Sequence, residues 1–242
     1  MDSNKPDVGL NLLAIGIFVM TISSLLSPIL NISPYIPAGA TFGVLGLLTI
    51  DNLSFQSKGL TVFLDLFASK AQRQRIIHHE AGHFLAAYFL GIPIQAYTLT
   101  AWDALQAGYE GRGGVIFDSA ELTEKPFDLA QTRLTLDRFC TVWMAGVAAE
   151  TMVYENAEGG AEDHFQLNLA LSMAGLAPSS YAQKARWGKV QATSLLERHR
   201  QSYQALVAAM EQRKSVEECC LVIQEHCLQE NDLQASDQPQ AA

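Results

Sequence analysis

The sequence contains no cluster of basic residues and is short of positive charge. Its 242 residues include 16 Lys and Arg but 25 Asp and Glu, which gives a formal net charge of −9 at pH 7. Nucleic-acid binding needs a basic surface that replaces phosphate counterions, so this composition argues against a nucleic-acid partner. A G-x-x-x-x-G-K-S/T phosphate loop is also missing. We therefore expect no nucleotide-binding loop of this type.

Cysteine is scarce as well. The four cysteines show neither the paired CxxC spacing of a metal site nor the density of a secreted disulfide framework. They are Cys140, Cys219, Cys220 and Cys227. We expect reduced thiols that face a cytosol-like compartment.

Charge is nearly absent from the first fifty positions. Residues 8 to 30 form an uncharged, mostly apolar run, and about 20 such residues at about 1.5 Å each span a bilayer. A second uncharged run covers residues 36 to 50. The pattern predicts a transmembrane helical hairpin, with residues 1–55 as a membrane anchor of two spans. Basic residues follow the second run, so the bulk of the protein is expected to face the cytoplasm.

The strongest motif lies in residues 76 to 92, which read IIHHEAGHFLAAYFLGI. His79, Glu80 and His83 form an H-E-x-x-H sequence on a predicted helix, where positions four apart share one face. The two imidazoles can therefore converge on one zinc ion, while Glu80 is placed to take a proton from the hydrolytic water. This chemistry predicts peptide hydrolysis by a zinc metallopeptidase.

A catalytic zinc site usually has three protein ligands, so another donor is needed. The metzincin pattern does not supply it, because Phe89 stands six residues after His83. Glu150, Asp163 and His164 are the downstream candidates, and their chemistry alone does not rank them.

Three stretches in order resemble the peptidase domain of the FtsH family of membrane-bound, ATP-dependent zinc metalloproteases. The first is the HEAGH sequence at residues 79 to 83. The second is MAGVAAE at residues 144 to 150, which resembles the family's Gly-Arg-Ala-Ala-Glu core with Val147 in place of the arginine. The third is GGAED at residues 159 to 163, which resembles a Gly-Ala-Ser-Asn-Asp segment whose last aspartate is a zinc ligand. The resemblance therefore implies Asp163 as the third ligand.

The resemblance also implies a setting. Small FtsH-like proteins of cyanobacteria and chloroplasts keep the peptidase and lose the ATPase, which matches this chain. We expect an integral membrane protein of a cyanobacterial plasma or thylakoid membrane, with a cytoplasmic zinc metalloendopeptidase domain that acts on unfolded or membrane polypeptides. The family implies a homo-oligomer or an association with FtsH-type ATPase proteases.

Two other functions fit parts of the pattern. The apolar H-E-x-x-H segment also resembles site-2 intramembrane proteases, although basic residues precede it and no Leu-Asp-Gly segment follows. Alternatively, the protein is a non-hydrolytic FtsH-like membrane protein that binds partners or assists assembly. The peptidase is favoured over this alternative because all four residues of the expected site are present, namely His79, Glu80, His83 and Asp163.

The predicted fold is mainly α, with the peptidase domain at residues 56–230 and a disordered tail at 231–242. Apolar spacing predicts helices at residues 71 to 90, 127 to 154, 161 to 174, 180 to 213 with a break near Gly188, and 215 to 228. Residues 94 to 100 and 114 to 118 are predicted as short strands beside the zinc helix.

Overall fold

The protein is mainly helical, with one two-stranded sheet. The computed structural model describes residues 8–26, 29, 33, 35–55, 68–109, 113–118 and 129–236. The chain divides into two compact units, Met1–Leu64 and Asp65–Ala242. In chain order the elements are α1 (Val8–Leu26), α2 (Tyr35–Phe55), α3 (Lys70–Leu90), β1 (Ile94–Thr98), α4 (Ala101–Gln106), β2 (Gly114–Phe117), α5 (Leu129–Tyr154), α6 (Ala161–Met173), a 3-10 turn (Pro178–Ser180), α7 (Tyr181–Arg198), α8 (Arg200–Glu211) and α9 (Val216–Ser236).

The first unit contains α1 and α2, which contact each other. They cover most of the two apolar runs, although α1 ends at Leu26 and α2 continues to Phe55. Residues 31, 32 and 34 of the link between the two runs lie outside the described residues. Over the part of the chain that the structure describes, no helix has the length and apolar character needed to cross a membrane. The predicted transmembrane hairpin is therefore not supported.

The helix α3 carries the H-E-x-x-H motif and begins and ends with well-formed caps. The Ser69 side chain accepts a hydrogen bond of 3.1 Å from the backbone N–H of Gln72, which satisfies one of the free donors of the first turn. At the other end Gly91 adopts a left-handed conformation with φ 66°, which glycine adopts without steric cost. The predicted helix at residues 71 to 90 is confirmed.

The close approach of α3 to α5 depends on Gly82. A Cβ added at Gly82 would lie 2.5 Å from the carbonyl oxygen of Ala145, a distance that no real side chain adopts. Without a side chain here, the backbones of α3 and α5 come close enough to bury Phe84 and Leu85 completely. The face of α3 that carries the histidines is thereby pressed against α5.

The predicted break near Gly188 is wrong. The helix α7 runs without interruption from Tyr181 to Arg198, and the break falls at His199, whose φ of −110° and ψ of 43° are not helical. Gly188 has a packing role instead, since an added Cβ would lie 2.6 Å from the carbonyl oxygen of Cys140 in α5. Gly188 is therefore the point where α7 crosses close to α5, and it does not end the helix.

The remaining elements agree with the predictions in kind. The strands β1 and β2 pair antiparallel, with Tyr97 opposite Val115. The short helix α4 was not predicted, and residues 127 and 128 of the long predicted helix lie outside the described residues. The helix α9 continues to Ser236 and so includes the first residues of the predicted tail. The four cysteines form no disulfide.

Gly188→Ala tests the crossing of α7 and α5. In an open helix this change would stabilise the protein by about 1 kcal/mol, because alanine has the higher helix propensity. Here we expect a loss of about 1–3 kcal/mol in the free energy of unfolding, because the new methyl group overpacks the contact with Cys140. Thermal and urea unfolding followed by circular dichroism measure the change. Gln183→Ala, on the exposed face of the same helix, is the control and should stay within about 0.5 kcal/mol.

Candidate metal centre

Two histidines on α3 and one aspartate on α6 converge at a single point. His79 and His83 lie one helical turn apart, with ring centroids 4.7 Å from each other. Nε2 of His79 lies 3.1 Å from Oδ2 of Asp163, and Nε2 of His83 lies 3.2 Å from Oδ1 of the same carboxylate. The three side chains are 12%, 5% and 16% exposed. His79, His83 and Asp163 form a group that could hold a metal ion.

The other ring nitrogen of each histidine is held by an acceptor. Nδ1 of His79 lies 2.7 Å from Oε1 of Glu150, and Nδ1 of His83 lies 2.7 Å from the carbonyl oxygen of Val142. Because a carboxylate and a carbonyl only accept hydrogen bonds, both histidines carry their proton on Nδ1. Both Nε2 atoms face the Asp163 carboxylate, and each can act as an electron-pair donor when a metal ion takes the place of its proton. Their orientation is set by α5, since the acceptors of both Nδ1 atoms belong to that helix.

The space between the two Nε2 atoms exists because residue 146 is glycine. A Cβ at Gly146 would lie 2.5 Å from Nε2 of His83 and closer still to Nε2 of His79. Any other residue would therefore fill the space that the three ligand side chains enclose. The residues present fit a bound metal ion.

Glu150 occupies a different position from the one expected of a third ligand. Its carboxylate accepts hydrogen bonds from Nδ1 of His79, from Arg75 at 2.9 Å, and from the backbone N–H groups of Glu158 at 2.9 Å and Gly159 at 3.1 Å. Burial raises the pKa of Glu150, but these hydrogen bonds outweigh burial and lower the pKa to about 2. Glu150 is thus a charged residue that orients His79 and the loop before α6.

The remaining neighbouring histidines are not part of the group. His164, the other open candidate for third ligand, is exposed and lines a groove between α6 and α7. The ring of His78 packs against Tyr154 and Tyr203, and its Nδ1 lies 2.8 Å from the Tyr203 hydroxyl. Only Asp163 among the three downstream candidates reaches both Nε2 atoms.

The group favours positive charge at its centre. Burial lowers the pKa of His79, but the hydrogen bonds to Asp163 and Glu150 outweigh it and raise the pKa to about 10. Burial also lowers the pKa of His83, and the Asp163 carboxylate reverses the shift so that the pKa is raised. For Asp163 burial raises the pKa, yet the two imidazoles lower it well below the usual range. A cation between these side chains is therefore stabilised.

Glu80 lies beside the group and is half-buried. The backbone N–H of Val115 in β2 donates a hydrogen bond of 3.0 Å to Oε2 of Glu80. A Cβ at Gly114 would lie 3.4 Å from the same oxygen, so the strand runs directly against the carboxylate. Burial raises the pKa of Glu80, in part against the charges of His83 and His79. The sheet thus fixes a carboxylate of increased basicity next to the two histidines.

Sequence reasoning missed two residues of this region. The first is Arg75, which pairs with Glu150 and also contacts the Asn156 carbonyl and Glu158. The second is Gly146, which lies within the MAGVAAE stretch. A signal for the first was present, because Glu150 is the single acid at the end of a run of small apolar residues and a buried carboxylate needs a cationic partner.

Comparison with protein-family models finds no match for this chain, and comparison with curated proteins finds none either.

Asp163→Ala is expected to lose the bound metal, because one of three ligands disappears and the two imidazoles face only each other. Gly146→Ala should lose it too, since its methyl group fills the space between the Nε2 atoms. The metal content of the purified variants, measured by inductively coupled plasma mass spectrometry, should fall from about one ion per chain to near zero.

His164→Ala is the matched control, because it removes a donor one position away that does not face the group. It should bind as much metal as the wild type. Retention of metal by Asp163→Ala together with its loss in His164→Ala would assign the third ligand to His164 and contradict the structure.

Proposed function

We propose that this protein is a zinc metallopeptidase. The observation that carries the proposal is the convergence of two histidine Nε2 atoms and the Asp163 carboxylate, with Glu80 on the same turn of α3. Two imidazoles, one carboxylate and one open position are the ligand set of catalytic zinc. When bound, zinc would act as a Lewis acid that lowers the pKa of water and polarises the peptide carbonyl.

Glu80 is proposed as the general base. It accepts a proton from the water that attacks the carbonyl carbon, and it then donates this proton to the amine as the C–N bond breaks. Its partial burial raises its pKa, which supports this role because such a carboxylate takes protons more readily at neutral pH. The Val115 N–H holds Oε2, which orients the carboxylate toward the histidines.

The substrate class follows from the resemblance to the FtsH family. Residues 79 to 83, 144 to 150 and 159 to 163 carry that resemblance, and they are the segments that supply His79, His83, Gly146, Glu150 and Asp163. We propose unfolded polypeptides and membrane proteins as the substrates, as this resemblance implies. Association with an FtsH-type ATPase protease would extend this range.

We also propose that the first unit associates with a membrane. Large apolar side chains on α1 and α2 are exposed, among them Phe18 at 64%, Leu25 at 70% and Phe42 at 82%. A folded protein in water rarely exposes so many large apolar residues on one pair of helices. Contact with the acyl chains of lipids would remove this apolar surface from water. The exposed side chains therefore support a membrane-associated peptidase.

Glu80→Gln tests the peptidase function. The amide keeps the size of the side chain and leaves the metal ligands unchanged, so metal content should equal that of the wild type. It cannot accept the proton, so the rate of casein hydrolysis should fall by about 10²–10⁴-fold. Release of fluorescent peptides from labelled casein measures the rate, with and without a zinc chelator.

Glu162→Gln is the control for this change, because Glu162 is an exposed acid of α6 that bonds only Gln166 among the described residues. It should cleave casein at the wild-type rate. Equal cleavage by wild type and Glu80→Gln would remove Glu80 from the mechanism. Absence of cleavage by metal-loaded wild type would favour the non-hydrolytic binding function.

Phe18→Asp together with Leu25→Asp tests membrane association. A charge at a lipid-facing position costs about 2.5–3.5 kcal/mol, so the double variant should move from the membrane pellet to the supernatant when membranes are sedimented at neutral pH. Phe165→Asp changes an equally exposed aromatic residue of the second unit and should leave the distribution unchanged. Wild-type protein found in the supernatant would contradict the proposal.

A further inference from the structure

A groove of about 600 Å³ lies between α5, α6 and α7. Its floor is apolar and includes Met144, Val147 and Ala185, all of them buried. Its rim carries the basic or ionisable side chains of His164, Arg186 and Lys189. The groove therefore offers an apolar surface for methylene groups with cationic groups above it.

The groove adjoins the metal centre through two pairs of consecutive residues. Asp163 reaches the two histidines while its neighbour His164 lines the groove. Gly146 borders the Nε2 atoms while its neighbour Val147 lines the groove. Val147 also lies against Gly160, the N-cap residue that precedes α6. A Cβ at Gly160 would also lie 3.6 Å from Oδ2 of Asp163, so Val147 and Gly160 connect the wall of the groove to the metal centre. An extended chain advances about 3.3 Å per residue, so a few residues of a substrate would bridge the two.

The charges of the groove have no counterpart within the described protein. None of the described residues that line it is Asp or Glu, although the chain as a whole is acidic. Over the described ranges, Arg186 and Lys189 form no ion pair, whereas Lys184 of the same helix pairs with Asp137 at 2.5 Å. Cationic side chains beside an apolar floor attract a carboxylate from solution.

We propose that this groove binds a carboxylate-bearing residue of the polypeptide substrate close to the scissile bond. The inference rests on the proposed peptidase function and names its specificity. The carboxylate belongs either to an acidic side chain or to the carboxy terminus of the substrate, because both present an apolar stem and the same charged group. His164, Arg186 and Lys189 are specificity-determining residues in this scheme.

Mapping of cleavage sites in casein by mass spectrometry tests the proposal. For the wild type we expect Asp and Glu to be enriched about fivefold at one fixed position relative to the cleaved bond, the size of effect that a partly exposed ion pair gives. Arg186→Glu and Lys189→Glu should abolish this enrichment or replace it with Lys and Arg. Arg198→Glu makes the same charge change on α7 outside the groove and should leave the pattern unchanged.

A second arm separates the two sources of the carboxylate. If the groove binds the carboxy terminus, cleavage occurs at a fixed distance from the end of a peptide, and amidation of that end reduces its rate about fivefold. If it binds an acidic side chain, amidation has no effect. Cleavage without any acidic enrichment and without an effect of amidation would overturn the groove proposal and leave the peptidase function intact.

The two proposals fail in different ways. If metal-loaded wild type cleaves no casein, the peptidase function is wrong, and the groove is then judged by fluorescence anisotropy with a labelled peptide that contains Glu or Gln. Binding that prefers Glu in the wild type and in Arg198→Glu, but not in Arg186→Glu, would support the groove. Equal binding of the two peptides would overturn it.

Discussion

The metal centre depends on one buried carboxylate. Glu150 accepts hydrogen bonds from His79 and Arg75 of α3 and from two backbone N–H groups of the loop that leads to α6. One side chain thereby connects the helix with the two histidines to the loop that delivers Asp163. Removing a partner from a buried charge of this kind costs about 3–5 kcal/mol, because the remaining charge is left unpaired away from water.

A second constraint is the short distance between helix backbones. Gly82 allows α3 to approach α5, and Gly146 leaves space between the two imidazoles. Gly188 allows α7 to approach α5 from the other side. Three helices are thus packed through glycine, and larger side chains would push the ligands apart. The rigidity that a metal site needs comes from this packing and not from the ligands themselves.

Much of this could be predicted from the sequence, and the failures have physical causes. The α3 helix, the two short strands and the mainly helical second unit follow from local apolar spacing and from helix caps. The role of Gly188 could not be predicted in this way. A glycine within a helical pattern can end the helix or allow a second helix to pack closely, and the local sequence does not distinguish the two. Glu150, Asp163 and His164 were equivalent by chemistry, and only the resemblance to the FtsH family separated them.

The sequence by itself determined the two histidines and the glutamate, because a helix places His79 and His83, four positions apart, on one face and Glu80 one step round from His79. How the group is completed is not determined by any spacing in the sequence, and the tertiary structure shows it directly. Asp163 lies 84 positions from His79, and Glu150 lies 71 positions from it. Such separations carry no local signal. Only the packing of α3, α5 and α6 assigns Asp163 to Nε2 and Glu150 to Nδ1 of the same imidazole.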